Sequence, residues 1–373
     1  MSSGDDLRKP AEPIPLTVLT GFLGAGKTTL LNRLLQDEAL AGTVVIINEF
    51  GEIGLDHLLV RTIDDNMVLL QSGCLCCTLR GDLISALEGL LRDLDNGRIS
   101  FRRVILETTG LADPAPVLQT AMAHPYLVMR FRIDGVITVV DAINGAATLD
   151  DSIESLKQVA VADRIILTKS DLADTAERRH ARDALLARLA ALNPAAPVLD
   201  AAAGEATAAR LLECGLYNPD QKIPDVKRWL AEEAYAAPAH HHHDPNRHDD
   251  RIRAFTIATD TPVPGATFEL FIDLVRSLHG PKLLRLKGIV KIAEEPDRPL
   301  VIHGVQHVMH PPVRLERWPD ADERTRIVVI TRDLAPEAVT RLFDAFLERR
   351  APDTPDRAAL FDNPLVPFGG VDR

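Results

Sequence analysis

Gly21-Phe22-Leu23-Gly24-Ala25-Gly26-Lys27-Thr28 carries three glycines spaced so that successive backbone N–H groups can turn inward, then an amine and a hydroxyl. A backbone of this kind wraps a polyphosphate, and the helix that follows turns its positive end toward the anion. Lys27 adds a mobile cation for the outer phosphates, and the Thr28 hydroxyl, followed by Thr29, is the expected protein ligand for Mg²⁺. The chain is therefore expected to bind a nucleoside triphosphate. Further along, Ile105-Leu106-Glu107-Thr108-Thr109-Gly110 delivers an acid to the end of an apolar run. Glu107 there suits an Mg²⁺-bound water. Gly110 would let a backbone N–H approach the γ-phosphate and move when it leaves.

Thr168-Lys169-Ser170-Asp171 resembles the Asn-Lys-x-Asp guanine reader of GTPases, with Thr in place of Asn. The Asp171 carboxylate can accept from guanine N1–H and the exocyclic amine, which adenine does not offer, so GTP is favoured over ATP. The Lys169 stem would lie over the base. Thr168 lacks an amide, so only part of the loop-bracing work of the usual Asn is expected of it.

Cys74-Leu75-Cys76-Cys77 brings three thiols into four residues, a pattern of metal ligands or redox groups rather than of a disulfide framework. Thiolates favour Zn²⁺ and borderline ions such as Co²⁺, and a tetrahedral Zn²⁺ leaves at least one ligand to find. Glu52 and His124 are candidates for it, as are water or a second subunit. A buried packing cluster or a redox switch remains the alternative reading. His240–His243 could hold divalent ions weakly on a loop, or be low-complexity drift. His303, His307 and His310 are expected to be structural or surface residues, and Cys214 a small packed side chain.

These groups need a frame. Short β-branched runs at Leu16–Thr20, Thr43–Asn48, Val104–Glu107, Gly135–Asp141, Arg164–Thr168 and Val198–Leu199 alternate with helical segments beginning near Lys27, Arg80, Ile153 and Asp174. That alternation predicts a doubly wound, mostly parallel α/β sheet with chemistry at its carboxyl edge. After a stretch rich in Ala, Pro, His and Asp, a smaller α+β domain is expected. Its strands fall at Ile252–Ala258, Leu283–Ile292, Leu300–Val308 and Arg326–Thr331, and its helices near Thr267–Leu278 and Pro336–Arg349. In Leu283–Ile292, Leu284, Leu286, Val290 and Ile292 alternate with Arg285, Lys287 and Lys291, so one face packs and the basic face is expected to be solvated. The expected organisation is a disordered 1–15, a nucleotide domain over 16–218, a His-rich linker over 219–250, the second domain over 251–350 and a tail over 351–373.

The 373 residues suffice for two cores, and a net charge of −12 argues against nucleic acid as the main partner. No apolar stretch is long enough to span a membrane and the first residues are polar, so a cytosolic protein is expected.

Taken in order, Gly21–Leu30, Asn48-Glu49-Phe50-Gly51-Glu52, Gly73–Cys77, Glu107-Thr108-Thr109-Gly110-Leu111-Ala112-Asp113-Pro114, Thr168–Asp171 and Lys282–Gly288 resemble the successive motifs of the CobW-type metal-handling GTPases. The resemblance implies a P-loop GTPase related to the urease and hydrogenase nickel accessory proteins, handing Zn²⁺ or Co²⁺ to a client metalloprotein. It also implies that Cys74, Cys76 and Cys77 hold the metal between the two nucleotide switch regions. Lys27, Glu107 and Glu52 are the residues expected to act in hydrolysis, and a nucleotide- or metal-dependent homodimer is a possible assembly. A small-molecule kinase and a non-catalytic metal store are the rival readings.

Overall fold

Ile14–Gly21 is apolar on both faces save for Thr17 and Thr20, the signature of a strand covered by helices on either side, and in this computed structural model it is the central strand β1 of a sheet. The structure describes residues 13–49, 67–71, 78–212 and 251–347. The sheet continues with β2 (Thr43–Glu49), β3 (Met67–Gln71), β4 (Arg103–Glu107), β5 (Phe131–Asp141), β6 (Arg164–Thr168) and β7 (Val198–Asp200). Its strand order is β3-β2-β4-β1-β5-β6-β7, and every pairing is parallel. The chain leaves β1 for one side of the sheet and later returns to fill the other. The crevice where ligands collect thus lies at the carboxyl ends of β1, β4, β5 and β6.

Each expected strand of this half is present, with β1 beginning at Ile14 rather than Leu16 and β5 at Phe131 rather than Gly135. The unforeseen β3 is the short apolar run Met67-Val68-Leu69-Leu70 bounded by polar residues, a pattern visible in the sequence. Helices Ala115–Ala123, Pro125–Arg130 and Gly145–Asp151 were also not foreseen.

The second sheet comprises β8 (Ile252–Thr259), β9 (Leu283–Val290), β10 (Leu300–Val305), β11 (Val308–Met309), β12 (Val313–Arg314) and β13 (Thr325–Arg332), all antiparallel, in the order β11-β10-β9-β13-β8 with β12 beside β10. The expected strand Leu300–Val308 is broken because Gln306 adopts a φ of 51° and, with His307, turns β10 back into β11. Helices Gly265–His279 and Pro336–Phe346 cover one face of this sheet. There Phe271 and Phe343 meet edge to face, 5.0 Å between ring centres.

The other face corrects the expectation of a solvated basic strand. Arg285 and Lys287 are only 2% and 7% exposed, because that face of β9 packs on the first domain. Both reach Asp163, itself buried just before β6, with side-chain nitrogens 2.5 Å from its Oδ1, and Arg285 also donates to the Val161 carbonyl. A register irregularity opposite Ile330 and Thr331 moves Leu284 to this side as well, and it joins Leu156, Val159, Leu185 and Leu189 of the first domain in one apolar cluster. Alternation alone had put Leu284 with Leu286.

Burial favours the neutral carboxylic acid, but the two adjacent cations prevail and hold Asp163 well below the usual carboxylate range. Burial, reinforced by Arg285, lowers Lys287 to about 8 even though Asp163 opposes the shift. His303 and His310 stack beside this group, 4.3 Å apart and nearly parallel, and burial depresses both. His307 is exposed.

Candidate functional site

The phosphate loop owes its shape to its glycines. Gly24 and Gly26 take φ values of 72° and 92°, in the left-handed region that glycine enters without strain. At Gly21 a Cβ would lie 2.3 Å from the Val139 carbonyl oxygen of β5, so only glycine lets β1 and β5 run together to their ends. Helix Lys27–Leu34 starts directly from Gly26 and buries Leu30, Leu31 and Leu34, which fixes its N-terminus under the loop. The Lys27 ammonium donates to the carbonyls of Gly21 (2.9 Å) and Phe22 (3.2 Å), folded back over the place where outer phosphates would sit.

Thr28 and Glu107 meet at the mouth of the loop: the Thr28 hydroxyl lies 3.0 Å from Glu107 Oε1, and Glu107 is 5% exposed. Two oxygen donors at the mouth of a phosphate loop suit a small hard cation such as Mg²⁺, with phosphate oxygens and water completing its shell. Behind Glu107 the Thr108 hydroxyl meets that of Thr20 at 2.8 Å, tying β4 to β1. Gly110 then passes so close to the phosphate loop that a Cβ would stand 2.4 Å from Leu23 N. Its loop is held from the far side by Gln158, whose amide donates to the carbonyls of Gly110 and Ala112 at 3.2 and 3.0 Å.

On the base side, Thr168 does more than expected. Its hydroxyl is 2.6 Å from the Ala25 carbonyl, a direct brace to the phosphate loop. Lys169, at a φ of 58°, reaches across Gly24 and donates to its carbonyl at 2.7 Å while pairing with Asp141 at the same distance. Burial works to raise the Asp141 carboxyl, yet the bonds from Lys169, the Ile143 N–H and Asn144 outweigh it and set its pKa below the usual aspartate value. Asp171 follows, exposed, in the single 3-10 turn Ser170–Leu172. Ser170 bonds Asp200 at 2.6 Å, and Asp200 in turn accepts from the N–H groups of Ala202 and Ala203, so the loop after β7 is tied to the same corner. A cleft of about 250 Å³ opens beside the phosphate loop between Phe22–Ala25, Asp141, Asn144 and Lys169.

Asp141, Gln158 and Asp200 escaped the sequence reading. An acid ending a strand was the signal for Asp141 and Asp200, as it was for Glu107. Gln158 gave no signal, because its role arises only when its helix packs under the Gly110 loop. Glu52, Cys74, Cys76, Cys77, Cys214 and His240–His243 lie outside the described residues. His124 sits between two short helices that return the chain to the start of β5, at the sheet edge opposite Lys27, with Nε2 3.7 Å from Glu88. Among the described residues no three His, Cys, Asp or Glu side chains gather as a metal site.

Residues 15–200 match the nucleotide-binding domain described as CobW/HypB/UreG, and residues 252–347 match the cobalamin synthesis protein cobW C-terminal domain. The chain is similar to the zinc chaperone YjiA of Escherichia coli (34% identity over 89% of this chain and 98% of that one). It is also similar to the zinc chaperone CobW of Sinorhizobium sp (30% identity over 88% and 95%). The crystal structure of Zn(II)-bound YjiA GTPase from E. coli superposes with a TM-score of 0.65 at 31% identity, covering 90% of this chain and 99% of that one. The shared sequence over nearly the full length of these relatives, together with the phosphate loop, its Thr28–Glu107 oxygen pair and the braced guanine-side loop, shows that the chain belongs to the CobW/HypB/UreG family of P-loop GTPases.

Proposed function

We propose that this GTPase carries Zn²⁺ as cargo on the thiolates of Cys74, Cys76 and Cys77 and releases it to a client metalloprotein as GTP is hydrolysed. One observation carries the reading. Gln71 ends β3 level with Glu49 of β2, at the carboxyl edge of the sheet, and helix Thr78–Asp95 sets out from there, so the cysteine-bearing stretch joins two points on the edge that holds Lys27 and Glu107. The names of the relatives, zinc chaperones and a zinc-regulated GTPase metalloprotein activator of Schizosaccharomyces pombe that shares 39% identity over 43% of this chain, support zinc ahead of cobalt.

In hydrolysis Lys27 would leave its carbonyl partners for the outer phosphates, Thr28 and Glu107 would hold Mg²⁺ and its water, and the Gly110 loop would respond to the γ-phosphate. Mg²⁺ supplies charge neutralisation of the phosphates when bound. Glu52 and a water complete the proposed zinc shell, and His124, at the opposite edge of the sheet, is left out of it. Since linkage is reciprocal, GTP tightens zinc by the factor that zinc tightens GTP. Competition with a chromogenic chelator in the GTP-analogue, GDP and nucleotide-free states tests this. Distinct affinities that Cys76→Ala with Cys77→Ala abolishes support the reading, and one affinity in all three states overturns it.

A further inference from the structure

The turn between β10 and β11 belongs to the second domain, yet its Gln306 reaches the nucleotide domain. The Gln306 amide donates to Asp113 Oδ2 at 3.2 Å, and the Lys157 ammonium donates to the same oxygen at 2.9 Å. The other oxygen, Oδ1, accepts from the Ala115 N–H at the start of helix Ala115–Ala123. Asp113 therefore anchors the far end of the loop that begins at Gly110. At its near end that loop touches Leu23 of the phosphate loop, and Gln158 holds its middle. A continuous path of contacts runs from the second domain to the phosphate loop. Gln306 is presented at this point by a strained backbone, since a non-glycine φ of 51° is adopted only where the surroundings impose it.

We propose that Gln306 is a positioning residue for the Gly110 loop, so that docking of the second domain sets how this loop answers to the γ-phosphate. The proposal rests on the GTPase activity of the family and is independent of the zinc reading. A loop that must shift when a phosphate leaves needs an anchor that stays. Val305 of β10 packs into the core of the first domain with Leu118, which keeps the turn seated while the loop moves against it. The second domain thereby acts as one wall of the switch.

Gln306→Leu removes the donor and leaves the backbone demand of the turn unchanged, while Gln306→Lys restores a donor of similar reach. In single-turnover assays of the full chain with GTP and Mg²⁺ and without zinc, Gln306→Leu is expected to hydrolyse GTP roughly three- to tenfold more slowly, the scale of one lost hydrogen bond. GDP affinity should stay within about twofold, and Gln306→Lys should recover most of the rate. Unchanged hydrolysis overturns the proposal. A loss that falls equally on GDP binding, or that Gln306→Lys leaves unrepaired, marks a merely structural role and overturns it too. Independently, hydrogen exchange over residues 304–309 of the unaltered protein should differ between GDP and a non-hydrolysable GTP analogue, and identical exchange counts against the path.

Discussion

The Thr168 hydroxyl is bonded to the Ala25 carbonyl at 2.6 Å, so the Thr168–Asp171 turn and the glycine loop Gly21–Thr28 are one braced unit. Lys169 repeats the link one residue on, through Gly24. Thr168→Val keeps the shape and deletes the donor. GDP affinity is expected to fall about fivefold, on the order of 1 kcal/mol for one neutral hydrogen bond, whereas Thr168→Asn should remain within about twofold of the parent. Titration of a fluorescent GDP analogue distinguishes the two, and an unaffected Thr168→Val would show that Lys169 suffices.

Contact between Gly110 and Leu23 leads to a sharper expectation. A methyl at position 110 meets backbone, with Leu23 N at 2.4 Å and Cα at 2.7 Å, so one of the two loops must move. Gly110→Ala should slow hydrolysis at least about 100-fold, near 3 kcal/mol of barrier, and by a larger factor than it weakens GDP binding. A parental hydrolysis rate in Gly110→Ala would mean that the loops separate before the chemistry.

Where the domains meet, two buried cations share one oxygen of the Asp163 carboxylate, and removing different members of the trio should have unequal effects. Asp163→Asn can still accept from the Val136 N–H but leaves Arg285 and Lys287 buried without a counter-charge. A loss of about 3–5 kcal/mol is expected on urea unfolding. Lys287→Met keeps the Arg285–Asp163 pair and removes an ammonium whose lowered pKa, about 8, shows that burial outweighs its attraction to Asp163. That variant should lie within about 1 kcal/mol of the parent, or above it. Equal losses in the two would contradict this account of the interface.

Much of the fold was legible because the parallel sheet and the phosphate loop are written locally. Apolar runs on both faces mark β1, β2, β4, β5 and β6, and Lys27, Thr28 and Glu107 fall where strand ends put them. What stayed hidden depends on partners far apart in sequence. Nothing near Arg285 or Lys287 reveals that Asp163 waits opposite, so an alternating strand looked half solvated. Leu284 changed sides through a register shift that alternation cannot register. Gln306 and Asp113 are unremarkable polar residues until two domains close on them.

The stacked imidazoles give the interface a pH dependence whose sign follows from where each form is charged. His303 and His310 stay neutral in the folded protein well below the ordinary value of 6.5, His310 down to about 4, while the unfolded chain protonates both near 6.5. Between those values the unfolded state binds more protons, so stability falls as the pH drops through that window. His310 alone accounts for up to about 3 kcal/mol. Asp163 leaves this window untouched. Its depressed folded pKa keeps its contribution in place down to its ordinary value of 3.8, and the loss comes only below that. Burial is the main reason the rings resist protonation, and the neighbouring Arg285 and Lys287 charges add to it. Urea midpoints at pH 7.5 and pH 5 should therefore separate more in the parent than in His310→Gln, and equal separations would remove the histidines from the account.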